Sequence, residues 1–238
     1  MFVRSITLGV VIFLAAPVAA QQGPASEQDE IVITGYQGGA FKLTSDRLRD
    51  AVKAFEKYHE RFAPEAVLEW RVLDYDPDDT LELALAERKS DERLPISIGA
   101  DGRFRLPHER MLRTKHDLVA NRGAGRVAIR PEAFSPGGTA TNHRVGDSRL
   151  ICRVMMAYMD NDMSYFMRQA VTAIGGCGSR RVNVMWRTEQ PIDTVIVSNW
   201  DKAVVISEDR LAYRMPTFDD SLGNEEMVSV RYVDASTD

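Results

Sequence analysis

Residues 147–177 read DSRLICRVMMAYMDNDMSYFMRQAVTAIGGC and contain both cysteines of the chain and five of its ten methionines. The apolar residues recur at the three-four spacing of one helix face: Ile151, Val154, Met155, Tyr158, Met159, Met163, Phe166, Met167, Ala170, Val171 and Ile174. Spacing alone therefore predicts one helix over residues 148–174, ended by the two glycines that follow.

The two cysteines conflict with that single helix. It would hold Cys152 and Cys177 roughly 38 Å apart, at about 1.5 Å per residue. A disulfide needs Cα atoms closer than about 7 Å. An exported chain with two cysteines more often pairs them than leaves both free. We therefore predict a Cys152–Cys177 disulfide and a break in the helix.

The Asp-Asn-Asp run at residues 160–162 is where we expect the break, because these residues favour turns and helix caps. We predict a strand over residues 149–156, a turn over 158–161 and a helix over 162–174. Such a strand covers roughly 26 Å and the returning helix roughly 18 Å. The two ends can then meet.

The first twenty residues have the organisation of a secretory signal peptide. Arg4 gives the start a positive charge, and residues 6–16 form an apolar run too short to span a membrane. Ala19 and Ala20 supply small residues for cleavage. We expect residues 1–20 to be removed, leaving a periplasmic or secreted protein without a transmembrane segment.

The charge of the chain limits its partners. The formal net charge is −5, and losing Arg4 with residues 1–20 makes it −6. Nucleic acid and anionic lipid both require a basic surface, so we predict neither as a partner. An envelope protein or a cell-wall component fits the composition better.

Residues 21–40 are predicted to be a flexible lead followed by an edge strand. Residues 30–35, Glu-Ile-Val-Ile-Thr-Gly, resemble the TonB box of TonB-dependent outer-membrane receptors. The resemblance covers six residues and implies a Gram-negative envelope protein. The remaining chain departs from that family, because its length cannot supply both plug and barrel.

Residues 41–134 are predicted to form a helix-plus-sheet domain. Leu48, Val52 and Phe55 lie on one face of a helix predicted over residues 45–62. The period then changes to two, which predicts a half-buried strand over 68–72. Further strands are predicted at 81–85, 118–120, 126–129, 181–187, 194–198, 203–207 and 227–233.

Residues 94–107 contain an Asp-Gly turn between two apolar runs, which predicts a hairpin. This run is similar to the hairpin of carboxypeptidase-regulatory, transthyretin-like β-sandwiches. We therefore expect an α+β fold, mainly antiparallel β and sandwich-like, with two principal helices at about 45–62 and 162–174. Residues 135–146 are a polar boundary, and 147–238 form a disulfide-containing α+β domain or the second half of one domain.

The tripeptide Gly-Asp-Ser at residues 146–148 resembles the nucleophile motif of GDSL hydrolases. That chemistry requires a histidine base, which in the family lies near the C-terminus. All histidines here precede Ser148: His59, His108, His116 and His143. We interpret Asp147 as a turn or cap residue, and we predict no catalytic, cofactor-binding or metal-binding residue.

Two stretches of the chain carry residues that could bind a metal ion. The acidic loop at 74–79 lacks the glycine and glutamate of a calcium loop, which favours a solvated turn. Met155, Met159, Met163 and Met167 are spaced by four, and thioethers suit Cu(I). Their apolar neighbours favour core-filling methionines instead, so copper binding is a minor alternative.

The leading hypothesis is a non-catalytic module of the bacterial envelope that binds a partner through its sheet edges or loops. The rival is a hydrolase of unfamiliar type that uses carboxylates, since 35 Asp and Glu offer many pairs. A flat or grooved apolar patch favours the binding module. A deep pocket with converging titratable groups favours the enzyme.

Overall fold

The computed structural model describes residues 40–78, 80–88, 92–123, 125–182 and 184–233. Its helices are α1 (Ser45–Phe62), α2 (His108–Arg113), α3 (Val145–Met159) and α4 (Tyr165–Ala173). Its strands are β1 (Ala40–Leu43), β2 (Val67–Val72), β3 (Leu83–Glu87), β4 (Arg93–Ile96), β5 (Arg103–Phe104), β6 (His116–Gly123), β7 (Ile129–Phe134), β8 (Asn142–Arg144), β9 (Val184–Arg187), β10 (Ile192–Val197), β11 (Val205–Ile206), β12 (Ala212–Met215) and β13 (Met227–Tyr232). Helices combined with antiparallel sheets confirm the predicted α+β class.

The predictions for the start of the chain lie outside the described residues. They are the signal peptide at 1–20, the flexible lead that follows it, and the strand at 30–35. Within the described part, no helix has the length and apolar character needed to cross a bilayer.

Helix α1 forms where the spacing of its apolar residues predicted it. Leu48, Val52 and Phe55 share one face and are buried. The helix ends at Phe62, two residues before Pro64, a residue that cannot continue an α-helix. The predicted bounds of 45–62 are confirmed.

Helices α1 and α3 pack against each other. Leu150 and Val154 of α3 are fully buried in the shared core. The backbones approach closely at the start of α3, because a Cβ on Gly146 would lie 2.0 Å from the carbonyl oxygen of Phe62. Only glycine fits at this position.

One hydrophobic core contains residues from both sides of the polar segment 135–146. Trp70 and Leu85 come from the first half of the chain, and Ile192 and Val228 from the second. The segment between the halves is itself tied to the second half, because the hydroxyl of Tyr213 donates to the carbonyl oxygen of residue 140, 2.9 Å away. The two halves therefore share their apolar burial.

The strands form four small antiparallel sheets with the orders β1-β6-β3-β4, β5-β2-β7, β10-β13-β8 and β11-β12-β9. The predicted alternation of β2 is confirmed, because Leu68, Trp70 and Val72 are buried and the residues between them are not. Since β2 lies between β5 and β7, its alternate side chains point to the opposite face of that sheet.

The hairpin predicted at residues 94–107 is wrong. Strand β4 pairs with β3, whereas β5 pairs with β2, so the two arms belong to different sheets. The tight turn itself forms: the backbone N–H of Gly99 donates to the carbonyl oxygen of Arg103 at 2.7 Å, and Gly102 adopts a φ of 78°. The turn therefore transfers the chain between sheets instead of pairing its own flanks.

The strand predicted at residues 149–156 is also wrong, because these residues belong to α3. The predicted break is present as a 3-10 turn, Asp160–Asp162. Helix α4 then begins after Ser164, whose side chain accepts from the backbone of Met167, so Ser164 and not Asp162 is its cap. The chain reverses between α3 and α4, which brings the cysteines together without a strand, and the predicted disulfide is confirmed.

Candidate functional site

Helix α4 presents apolar side chains to solvent. Phe166 is 83 % exposed, Tyr165 65 % and Met167 55 %, and no residue of α4 is buried. The prediction that the evenly spaced methionines fill the core is wrong for Met159 and Met167, which are both exposed. A periodic apolar face is buried only where another element covers it, and no element of the described chain covers this one.

Helix α4 is nevertheless anchored at both ends. At its start, Arg168 forms an ion pair with Asp160, with the two charged atoms 3.2 Å apart. Beyond its end, Cys177 is bonded to Cys152 of α3, with the Cα atoms 6.0 Å apart and both residues buried. An isolated helix of nine residues is marginal in water, so these anchors hold the exposed helix in place.

A groove of about 620 Å³ lies between α1, α3 and α4. Its apolar lining comes from all three helices and from the break between α3 and α4: Tyr58, Met156, Met163 and Val171. Backbone from the glycine-rich segment 175–178 completes it. The groove therefore lies beside the exposed helix and offers an apolar recess next to its aromatic side chains.

Two of the groove's three arginines have no carboxylate partner among the described residues. Arg153 donates to the carbonyl oxygen of Arg149 and lies 4.0 Å from the ring centroid of Phe62. Arg61 lies 5.1 Å from the same ring. Burial lowers the pKa of Arg153, with Tyr58 opposing the shift and Arg61 adding to it. An arginine stays charged at neutral pH, so the groove is positively charged.

Ser148, which the GDSL-like motif singled out, contacts a histidine. Its Oγ lies 2.7 Å from Nε2 of His143 and accepts from the indole N–H of Trp186 at 3.2 Å. Nδ1 of His143 lies 3.0 Å from the carbonyl oxygen of Thr139, which can only accept, so Nδ1 carries the proton and Nε2 accepts a hydrogen bond from the serine hydroxyl. The histidine that GDSL hydrolases carry near the C-terminus has no counterpart here, but β8 places His143 beside the first turn of α3.

This serine–histidine pair is sealed from solvent. Ser148 is 0 % exposed and His143 1 %, and burial lowers the pKa of His143 to about 4. Asp147 does not contact the imidazole in the manner of a triad. Its carboxylate accepts from the backbone and hydroxyl of Ser135 and from the backbone N–H of Arg144, which gives it the predicted capping role. A nucleophile without accessible surface cannot attack a substrate, so the cluster has a structural role.

The two metal hypotheses gain no geometric support. In the acidic loop, Asp76 accepts from the backbone N–H of Asp78 at 3.0 Å, which is a local turn contact. Across the described ranges, no three His, Cys, Asp or Glu side chains are grouped as metal ligands. The methionine row is divided, since Met155 lies on α3 and Met167 on α4, with a turn between them.

The disulfide was predicted correctly from the sequence, whereas the exposed apolar surface of α4 was not. The three-four spacing of residues 151–174 is the same whether a helix is buried or exposed. Comparison with protein-family models, with curated proteins and with solved structures found no match. Function is therefore inferred from the side chains of this chain alone.

Proposed function

We propose that the protein is an exported, non-catalytic binding module that holds a segment of a partner protein on α4 and in the adjacent groove. The observation that carries the proposal is the solvent exposure of Tyr165, Phe166 and Met167 on a helix anchored by a buried disulfide. Large contiguous apolar patches are uncommon on monomeric soluble proteins, and where they occur they often mark interaction sites.

The energetics favour a protein partner for this patch. Burying one large apolar side chain contributes about 1.5–3 kcal/mol, and aromatic residues are enriched among the side chains that dominate interface affinity. Because α4 is already anchored, little of this free energy would be lost in ordering it on binding. The groove beside α4 supplies the concave recess into which a partner side chain can insert.

Charge defines the chemistry of the partner. The chain as a whole carries a net charge of −5, yet the groove holds Arg61 and Arg153 without a carboxylate partner in the described part. A partner segment that combines apolar side chains with Asp or Glu would neutralise both guanidiniums. Complementary charge of this kind accelerates association and sets orientation.

The proposed compartment is the periplasm or the exterior of the cell. Its support is the signal-peptide pattern of residues 1–20 and the buried Cys152–Cys177 disulfide, since such bonds persist in oxidising spaces. We propose an envelope protein as the partner for the same reason. Fractionation of cells that express the full chain tests this part: processed protein in the periplasmic or secreted fraction supports it, and unprocessed protein in the cytosol contradicts it.

Capture from an envelope extract tests the binding surface. The wild type is compared with Phe166→Ser and with Val205→Ser, a control that removes an exposed apolar side chain from β11. We expect a protein that is retained by the wild type and by V205S and lost with F166S. Crosslinking from position 166 should then map a partner segment that contains both apolar and acidic residues. Equal capture by all three variants contradicts the proposal.

The same comparison of wild type with F166S can also reveal a different binding partner for α4 and its groove. Binding of wild type, but not F166S, to vesicles of anionic lipid would replace the protein partner by a membrane surface. Concentration-dependent dimerisation that F166S abolishes would replace it by a second copy. If the partner segment is acidic, Arg61→Gln should weaken capture and make the remaining capture less sensitive to salt than capture by the wild type. The exposed Arg93→Gln should leave capture unchanged.

A further inference from the structure

Three arginines stand side by side on the outer face of the β5-β2-β7 sheet. Arg71 of β2 is directly opposite Arg103 of β5 on one side and Arg130 of β7 on the other. Directly opposed residues in antiparallel strands have Cβ atoms about 4.5–5.5 Å apart, and like charges in such pairs destabilise a sheet. A row of three guanidiniums therefore needs anionic compensation.

The sheet provides one buried carboxylate for this row. Glu132 is 2 % exposed and accepts from Nε of Arg103 at 3.0 Å and from a terminal nitrogen of Arg130 at 2.8 Å. Arg103 is further paired with Asp101 at 2.7 Å. Arg103 and Arg130, the two outer arginines, therefore each have a carboxylate within hydrogen-bond distance.

Among the described residues, Arg71, the central arginine, has no carboxylate within hydrogen-bond distance. Its two nearest carboxylate contacts, to Glu132 and to Glu189, are both 3.9 Å long, beyond hydrogen-bond distance. Glu189 is almost fully exposed, so water and salt screen its charge. Within the described part of the chain, the guanidinium of Arg71 donates no hydrogen bond, and its planar fork is available to a ligand.

A cleft of about 620 Å³ opens over this row. Arg187, Thr141 and Tyr232 line it together with the arginine row and add donors to the same space. Its lining carboxylates are Asp74 and Glu189, both solvent-exposed. Four guanidiniums line the cleft: Arg103 and Arg130 have carboxylates within hydrogen-bond distance, whereas the carboxylates nearest Arg71 (Glu132 and Glu189) and Arg187 (Asp209) lie 3.9 Å away. The guanidinium at the centre of the row is therefore the one that an anionic ligand can pair with most directly.

We propose that this cleft binds the carboxylate or phosphate group of a small ligand, with Arg71 as the central contact and Arg130 beside it. Guanidinium forks match the geometry of both oxyanions, and such charge-assisted bonds are roughly twice as strong as neutral ones. The site is separate from α4 and does not depend on the function proposed above. The two oxyanions share one recognition chemistry, and the experiment distinguishes them.

The test titrates the purified, disulfide-bonded protein with inorganic phosphate and, separately, with citrate at constant ionic strength, followed by NMR shifts of backbone amides. We expect saturable shifts in β2 and β7, and the probe that binds more tightly identifies the oxyanion. Arg71→Gln weakens binding by about tenfold or more. Arg71→Lys, which keeps the charge but not the fork, gives an intermediate affinity.

Arg105→Gln is the matched control, since Arg105 is paired with Glu69 on the same side of the sheet but does not line the cleft. It should bind both probes like the wild type, and so should Phe166→Ser. The proposal is overturned if neither probe saturates. It is also overturned if R71Q and R105Q weaken binding equally, because that result indicates attraction to net charge alone. Unchanged thermal melting of R71Q establishes that the variant is folded.

Discussion

The disulfide between Cys152 and Cys177 joins the buried helix α3 to the turn that follows the exposed helix α4. Cys152 lies in the core-facing part of α3, and Cys177 is the one buried residue of the turn Gly176–Gly178. Helix α4 contributes no buried residue of its own. The position of the proposed binding helix therefore depends on a covalent bond more than on packing.

Removing the disulfide should destabilise the protein and release α4 first. The bond spans 25 residues, and closing a loop of that length contributes about 3 kcal/mol. We expect the Cys152→Ser, Cys177→Ser double variant to lose about that much free energy of unfolding in urea. Chymotrypsin should cleave after Tyr165 and Phe166 faster in this variant, because α4 opens more readily once the crosslink that restrains it is gone.

Reducing agent provides the control for this prediction. Added to the wild type, it should reproduce the stability and the cleavage rate of the double variant. Added to the double variant, it should change neither. If the double variant were as stable in urea as the wild type and were cleaved at the same rate, the disulfide would not have the role assigned to it.

The exposed aromatic surface of α4 should be dispensable for folding. Phe166→Ser removes a side chain that makes few contacts, so the free energy of unfolding should change by less than about 0.5 kcal/mol. Leu150→Ala removes a fully buried side chain from α3 and should cost about 2–5 kcal/mol. Urea denaturation of both variants checks the contrast. A large loss of stability in F166S would indicate that Phe166 belongs to the core and would contradict the binding surface.

Elements with a complete local pattern could be predicted from the sequence. The spacing in α1 and the proline after it fix its bounds, and the alternation around Trp70 fixes β2. The disulfide followed from the expected compartment together with the distance limit on paired cysteines. Each of these depends on neighbours in sequence or on one geometric constraint.

The features that could not be predicted from the sequence depend on how the elements pack and join. Residues 149–156 are apolar enough for either strand or helix, and only their burial against α1 decides for α3. The exposure of Phe166 depends on the absence of a covering element in the described chain, which periodicity does not encode. The contact of His143 with Ser148 spans only five residues, but it forms because the chain passes directly from β8 into α3, where a polar boundary segment was predicted.

Arg149 should be required to hold the C-terminal segment 217–224. Its buried guanidinium donates to the carbonyl oxygens of Thr217, Asp219 and Leu222 and to the side chain of Asn224, at 2.6–3.2 Å. Lysine cannot satisfy four acceptors in this fork geometry. We expect Arg149→Lys to lower the free energy of unfolding by about 2–4 kcal/mol, because buried acceptors lose their donors.

Hydrogen exchange distinguishes a local effect of Arg149 from general destabilisation. Amides in segment 217–224 should exchange faster in R149K even under conditions where the core amides of β2 remain protected. The exposed Arg93→Lys should leave both stability and exchange unchanged, within about 0.5 kcal/mol. Equal loss of protection in β2 and in segment 217–224 would contradict a local clamp.

The sealed His143 should make the stability of the protein depend on pH. Burial lowers the pKa of its imidazole from 6.5 to about 4, so between these values the unfolded chain binds a proton that the folded chain does not. Stability from this group is therefore fully present above pH 6.5 and is lost as the pH falls towards 4, by a total of about 3 kcal/mol. Urea denaturation at several pH values between 7 and 4 measures the slope.

Substitution at position 143 separates this titration from that of the carboxylates. His143→Gln should be less stable at pH 7, since the hydroxyl of Ser148 loses its imidazole acceptor, and its pH slope between 6.5 and 4 should be shallower by the contribution of one proton. His108→Gln, at a half-buried site that contacts Glu56, should retain the steep component. An imidazole resonance of His143 that titrates near pH 6.5 would mean that solvent reaches the Ser148 pair, and the structural role assigned to it would then be wrong.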